Sequence, residues 1–268
     1  MRSTRAPVIT FSSDFGEREY YVGAVKGVIL SICPGAQIVD LTHHIASHDL
    51  LEAAFTLSCA YSTFPPRTVH LVVVDPGVGS KRRAIVLATR DHWFVAPDNG
   101  VLSLVYRREE VIHVVAVEAE HYFRRPIAPT FHGRDIFAPI AAQIARGLEV
   151  SRLGSPVTDY VRLNLPPLEK LANGRLQGIV LHIDKFGNII TSVTPEDIRG
   201  ILGEERTPVE FLLNGRTIDR HCSYFAEAAE GELFSLLGSS GHYEIAARQK
   251  PAARILEAKR GMPVQLKL

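Results

Sequence analysis

The chain has 268 residues, enough for one large domain or two smaller ones, and its hydrophobic fraction of 46% supports a packed core. Lys plus Arg number 30 against 29 Asp plus Glu, a net charge of +1, so nothing in the charge balance points to nucleic acid or another polyanion. Cys33, Cys59 and Cys222 are far apart and form neither a zinc pattern nor a disulfide framework; no apolar run reaches membrane-spanning length, and no long apolar core follows the basic start Met1-Arg2-Ser3-Thr4-Arg5 to make it a secretory signal. A reducing cytoplasm is the expected setting.

Val8–Phe11 reads as a first strand, ending at the polar tip Ser12-Ser13-Asp14-Phe15-Gly16. From Tyr20 to Cys33 the apolar positions Tyr21, Ala24, Val25, Val28, Ile29 and Ile32 share a helical face, and Pro34-Gly35 stops the helix. Gln37–Leu41 is a second strand, followed by His43, His44 and His48. Adjacent histidines on an extended chain point to opposite faces, and no acid or cysteine completes a ligand set, so loop or core histidines are expected here rather than a metal site. Asp49 caps a helix running to about Ala60, and Phe64-Pro65-Pro66 breaks it.

The next strand carries the stretch that organises the chain. Val72-Val73-Val74 is a β-branched run that stops at Asp75, turns through Pro76-Gly77-Val78-Gly79 and continues into Arg82 and Arg83. Buried parallel strands read as unbroken apolar runs, and open α/β sheets bind ligands beyond their carboxyl ends. Asp75 therefore stands where such a sheet presents chemistry, with Arg82 near enough to fold back on it; a strand-end turn with a surface ion pair fits the same residues. The Lys-Ser/Thr ending of a phosphate loop is missing. Strands over Ala84–Thr89 and Trp93–Ala96, a turn at Pro97-Asp98-Asn99-Gly100, a short helix from Val101 to Tyr106 and a strand over Val111–Val117 follow. Thr130-Phe131-His132-Gly133-Arg134-Asp135 then leads into a helix over Ile136–Arg146, closed by Gly147. His132 is placed either to carry a proton or to cap that helix.

Beyond Gly147 the texture becomes strand-like. Leu165-Pro166-Pro167 reads as a linker, and strands are expected over Leu176–Ile183, Val209–Leu213, Leu233–Leu237, Tyr243–Ile245 and Val264–Leu268. Asn214-Gly215 is a hairpin signal, and Thr194-Pro195-Glu196-Asp197 opens a short capped helix. The expected architecture is an α/β domain over residues 1–165, with a central, largely parallel sheet, then a smaller antiparallel β domain over residues 166–268. Asp184-Lys185-Phe186-Gly187-Asn188 combines groups able to stack on a planar ring and read hydroxyls or amines, and is equally readable as an Asp/Asn turn. Gly238-Ser239-Ser240-Gly241, followed by His242-Tyr243-Glu244, is a second small-residue loop.

These segments, in this order and over nearly the full length, resemble the S-adenosylmethionine hydroxide adenosyltransferases, the adenosine-forming S-adenosylmethionine hydrolases, a group related to the fluorinase and chlorinase that attack the same substrate with halide. The resemblance implies an α/β domain followed by a small β-barrel. It also implies a homotrimer with each site between the first domain of one subunit and the second domain of its neighbour. It assigns Asp75, Arg82 and His132 as the catalytic set and Asp14 to the ribose hydroxyls. Asp184, Phe186 and Asn188 fall to the methionine end and the flanks of the ligand, Ser239 and Ser240 to the nucleoside-facing loop, and Glu244 to a further contact. Where the fluorinase has an aromatic near the ribose, this chain has about His48-Asp49.

The chemistry implied needs neither metal nor cofactor. The sulfonium activates ribose C5′, neutral methionine leaves, and a water must lie in line and lose a proton. Arg82 favours a hydroxide-like nucleophile, Asp75 orients Arg82 and accepts from the water, and His132 orients the water or takes its proton. The halogenases carry an aromatic at the Asp75 position and no histidine at the His132 position. A carboxylate here repels halide, so water is the expected nucleophile. The remaining alternatives are a halogenase and a non-catalytic sensor binding the same ligand.

Overall fold

The computed structural model describes residues 6–204 and 206–268; the basic start of the chain lies outside the described residues. The chain divides into two compact units, 1–163 and 164–268.

In the first unit, six strands form one sheet: β1 (Val8–Ser13), β2 (Gln37–Thr42), β3 (Thr68–Val73), β4 (Ala84–Ala88), β5 (His92–Pro97) and β6 (His113–Ala116), in the order β2-β1-β3-β5-β4-β6. The β1–β2, β1–β3 and β3–β5 pairs are parallel, and β4 runs antiparallel to both β5 and β6. Every residue of β3 is buried, because both faces of the sheet are covered. On one face Val69, Leu71 and Val73 pack with α1 (Tyr21–Ile32) and α4 (Ala138–Ala145); on the other Val72 and Val74 pack with α2 (Leu50–Ala60). From β1 the chain goes out to β2 and then returns to the other side of β1 as β3, so the strand order reverses between β1 and β3. Such a reversal opens a crevice beyond the carboxyl ends of the two strands. Ser13 pairs with Val73 at those ends, which sets Asp14 and Asp75 at neighbouring strand tips.

Two local features depart from the sequence pattern, and a third follows it. The expected helix at Val101–Tyr106 is a turn that becomes helical only as α3, Val105–Arg108. The helix expected from Ile136 is preceded by a wide π-helical turn over Gly133–Phe137, a geometry associated with functional sites. Of the adjacent histidines, His43 is buried and His44 is exposed, as alternation on an extended chain requires.

In the second unit, β7 (Glu169–Lys170), β8 (Leu176–Ile183), β9 (Ile189–Thr191), β10 (Glu210–Leu213), β11 (Arg216–Ile218), β12 (Leu233–Leu237), β13 (Tyr243–Ala247) and β14 (Pro263–Lys267) form one antiparallel sheet. Its order is β11-β10-β14-β8-β9-β13-β12, with β7 added on β8. The chain leaving β11 runs back beside β12, where Cys222 N–H donates to the Ser235 carbonyl and Ser235 N–H to the Arg220 carbonyl, at 2.9 and 2.8 Å. The sheet thus nearly closes on itself around Val180, Phe211, Ile245, Val264 and Leu266. Asn214 and Gly215 both take positive φ, the two-residue turn that joins β10 to β11. Thr194 and Asp197 form a reciprocal capping box on α5 (Pro195–Leu202).

Candidate active site

Asp75 lies two residues past β3, where the turn through Pro76-Gly77-Val78-Gly79 brings Arg82 back onto it. Arg82 Nε donates to Asp75 Oδ1 at 2.8 Å, and its Nη2 contacts Oδ2. The pair is nearly buried, with side chains 10% and 5% exposed, so each charge requires the other to offset its desolvation. The Arg82 guanidinium also lies 5.1 Å from the Phe137 ring centroid. Arg83 points elsewhere, to Asp98 and Asp159, which leaves Arg82 as the partner of Asp75. Asn99 Nδ2 donates to the Val74 carbonyl at 2.9 Å and holds the strand end from beneath. The Pro97–Gly100 turn, to which the sequence reading gave no role beyond a turn and a shared motif, is thus a support for the strand end that carries Asp75.

His132 enters from the turn before α4. Arg82 Nη2 lies 3.0 Å from its Nδ1; guanidinium only donates, so Nδ1 accepts and a neutral ring carries its proton on Nε2. Burial and the Arg82 charge both push the imidazole pKa down, which favours that neutral ring. The turn itself is held by Asp135, which is fully buried and accepts from Arg134, Arg124 and the Ala128 N–H; these donors hold its carboxyl below the ordinary carboxylate range against the opposing effect of burial. Sequence reasoning included Asp135 in a motif without giving it a role.

Asp14, Asp75 and His132 line one cleft of about 260 Å³ together with Phe15, Ser47, His48, Val78, Thr130 and others. Asp14 Oδ2 accepts from the His48 N–H at 2.9 Å, and His48 takes a left-handed φ of 67° to present it.

The second unit has its own cleft of about 710 Å³. Asp184, Phe186, Asn188, Ser239 and Glu244 line it, with Phe225 and Leu236 on the apolar side. Ser240, expected beside Ser239, is not among the lining residues. Asp184 is the hub of the turn between β8 and β9: Oδ1 accepts from Phe186 N–H and Asn188 N–H at 2.9 and 2.8 Å, and Oδ2 from Asn188 Nδ2 at 2.9 Å. The motif is therefore a turn held by its own acid, and that turn stands at the edge of the cleft. Phe186 is left 67% exposed at the rim. Glu244 is only 9% exposed, and burial, with the nearby Asp184 charge, raises its pKa to about 7. Gly238 packs against it: a Cβ there would fall 1.9 Å from Glu244 Oε1 and would displace that side chain. Among the described residues, no group of three His, Cys, Asp or Glu side chains is arranged to hold a metal ion, and no helix is long and apolar enough to cross a membrane.

Residues 9–154 match the model of the SAM hydroxide adenosyltransferase N-terminal domain, and residues 178–265 that of its C-terminal domain. The chain belongs to this family. It is 38% identical to the (R)-S-adenosyl-L-methionine hydrolase of Thermus thermophilus, covering 96% of this chain and 98% of that one. It is 31% identical to the protein of that name from Methanocaldococcus jannaschii, over 96% and 94% of the two chains. A fluorinase from Actinoplanes matches at 28% identity over 96% of each chain. The crystal structure of an uncharacterized conserved protein from Thermotoga maritima superposes with a TM-score of 0.89 at 35% identity, covering 97% of this chain and all of the other.

Proposed function

We propose that this enzyme hydrolyses S-adenosyl-L-methionine to adenosine and L-methionine. The observation that carries the proposal is the Asp75–Arg82–His132 network at the β1/β3 crevice, in a chain whose relatives at 31–38% identity bear the hydrolase name. Water attacks ribose C5′ in line with the C–S bond, the C–S electron pair leaves with sulfur as neutral methionine, and the water loses one proton. Arg82 supplies fixed positive charge that favours a hydroxide-like oxygen. With Nδ1 accepting from Arg82, His132 offers an Nε2–H, so it orients the water by donation rather than taking its proton. Asp75 is then the proton acceptor: Arg82 occupies one lone pair on each oxygen and leaves the others free. Asp14 holds the ribose hydroxyls, and Asp184, Phe186, Asn188, Ser239 and Glu244, which line the second cleft, hold the rest of the ligand. No cofactor takes part.

The reading includes a homotrimer, whose neighbouring subunit supplies the second group of residues; a monomeric mass in solution removes that part. The whole is tested by incubating the protein with S-adenosyl-L-methionine in chloride-free, chelator-treated buffer and separating the products. Adenosine and methionine, lost in Asp75→Ala, are expected. A 5′-halo nucleoside formed only with added halide moves the chain to the halogenase chemistry. Tight binding without turnover makes it a sensor.

A further inference from the structure

His43 belongs to none of the groups assigned above, yet it holds the segment that carries Asp14 at two points. Its ring Nδ1 lies 2.8 Å from Ser13 Oγ, one residue before Asp14. Its backbone carbonyl accepts from the Gly16 N–H at 2.7 Å, two residues after. The ring itself is fixed: it is 2% exposed, packs edge-on against Phe11 at 4.6 Å, and places Nε2 3.0 Å from Asp40 Oδ1. With the proton on Nε2, the nitrogen nearer the carboxylate though not aligned for a hydrogen bond to it, Nδ1 of the neutral ring accepts from the Ser13 hydroxyl. The Ser13 oxygen in turn accepts from the Phe15 N–H at 3.3 Å. Five residues on, the same loop supplies the His48 N–H to Asp14 itself.

Asp40, His43 and Ser13 have the composition of a nucleophilic triad, but not its use. Ser13 is fully buried and is absent from the lining of the cleft, so its oxygen has no path to a substrate. What the array does is fix the backbone on both sides of one cleft-lining carboxylate.

We infer that His43 is the positioning residue for Asp14, acting through Ser13 and Gly16, and that it thereby sets the enzyme's preference for a ribose that keeps its vicinal hydroxyls. This rests on the reading of Asp14 given above. A carboxylate placed to accept from substrate hydroxyls rejects an analogue that lacks one, and that discrimination depends on its placement.

The test compares kcat/KM for S-adenosyl-L-methionine and its 2′-deoxy analogue in the wild type and in Asp14→Ala, Ser13→Ala, His43→Leu and His43→Asn. The wild type is expected to prefer the hydroxylated substrate about tenfold or more, and Asp14→Ala to abolish the preference. His43→Leu and Ser13→Ala are expected to cut it at least threefold, mainly through KM. His43→Asn, whose amide reaches the place of Nδ1, is expected to restore it. Loss of activity on both substrates by the same factor, with the preference intact, makes His43 merely structural and overturns the inference. Ser13→Ala removes one oxygen and serves if His43→Leu does not fold. A preference abolished by Asp14→Ala but untouched by the Ser13 and His43 variants defeats the inference alone. A wild type indifferent to the 2′-hydroxyl, or an Asp14→Ala variant that keeps the preference, defeats the reading of Asp14 and the inference with it.

Discussion

The two clefts are built on opposite electrostatic plans. In the first unit every acid singled out has donors within the unit: Asp75 has Arg82, Asp135 has Arg134, Arg124 and a backbone N–H, and Asp14 has the His48 N–H. Charge is held in place there by groups anchored at strand and helix ends. The second cleft is larger and more apolar, presents an exposed Phe186, and buries Glu244 where burial and Asp184 disfavour its charge. Fixed dipoles and charges serve a step in which charge develops. An apolar cleft with a few polar groups serves recognition of a flat ligand. On the proposed reading, the reacting groups belong to the first unit and most contacts to the flat and apolar parts of the ligand to the second.

The sharpest way to break that division is to compare a variant from each cleft. Asp75→Ala leaves Arg82 nearly buried beside His132 with its carboxylate partner gone. Its kcat is expected to fall about a hundredfold or more, the order seen when one preorganised charge partner is lost. Phe186→Ala is expected to raise KM about tenfold and leave kcat within a few-fold, because stacking acts on bound substrate and transition state alike. Steady-state kinetics on both variants decides it; a kcat loss of similar size in Phe186→Ala dissolves the division.

Glycines make a second, smaller contrast. Gly79 has φ 78°, and a Cβ there would lie 2.6 Å from the Pro129 carbonyl oxygen, which is backbone and cannot swing away. Gly79→Ala is expected to cost about 2–4 kcal/mol of stability, read by denaturant unfolding, and to lower activity through the loop that carries His132. At Gly238 the obstacle is the end of the Glu244 side chain, which can move. Gly238→Ala is expected to cost about 1 kcal/mol or less and to act mainly on KM.

Much of the first cleft could be read from sequence, because strand-end acids and the glycine turn after Val74 are local features. The second unit's strands were legible in outline, but β7, β9 and β11 are two or three residues long and carry too little periodicity to find. Asn99 and His43 were visible as residues but not as supports. Asn99 acts 25 positions from Val74 and His43 acts 30 positions from Ser13, across strand pairings that no local pattern encodes. The π-helical turn at Gly133 was hidden for a different reason. Its sequence, Gly-Arg-Asp-Ile-Phe, fits an ordinary first helical turn, whereas the bonds from Arg124 and the Ala128 N–H to Asp135 that accompany the wider geometry come from outside the turn.

Within the first unit's sheet, on β3 and β5, lies a buried histidine pair expected to set its acid limit. His70 is fully buried, with Nδ1 2.7 Å from Thr10 Oγ1 and Nε2 3.3 Å from His92 Nδ1, and burial with the His92 charge pushes its pKa down to about 3. The folded state keeps this ring neutral while the unfolded chain protonates it below about 6.5, so stability is expected to fall as pH drops from 6.5 toward 3, by up to about 1.4 kcal/mol per pH unit for this group. The single tryptophan, Trp93, sits in β5 beside His92 and reports on this unit. Its fluorescence should show the first unit losing stability between pH 6 and 4.5, with a flatter slope in His70→Leu. An equal slope in that variant would assign the acid limit elsewhere.

The smallest expected effect bears most directly on the contrast between the clefts. Glu244 carries a carboxyl raised from 4.5 to about 7, so the folded protein keeps its proton over a range in which the unfolded chain has lost it. Stability contributed by this group therefore declines as pH rises from about 4.5 to about 7 and stays lower above that. Glu244→Gln removes the titration while keeping the shape, and should gain about 1–2 kcal/mol relative to wild type at pH 8 and nothing at pH 5, a difference of a few degrees in Tm. Paired melts at the two pH values measure it. A gain of the same size at both would mean that Glu244 ionises freely in the folded protein, that the second cleft holds charge as readily as the first, and that the two are not built on different plans.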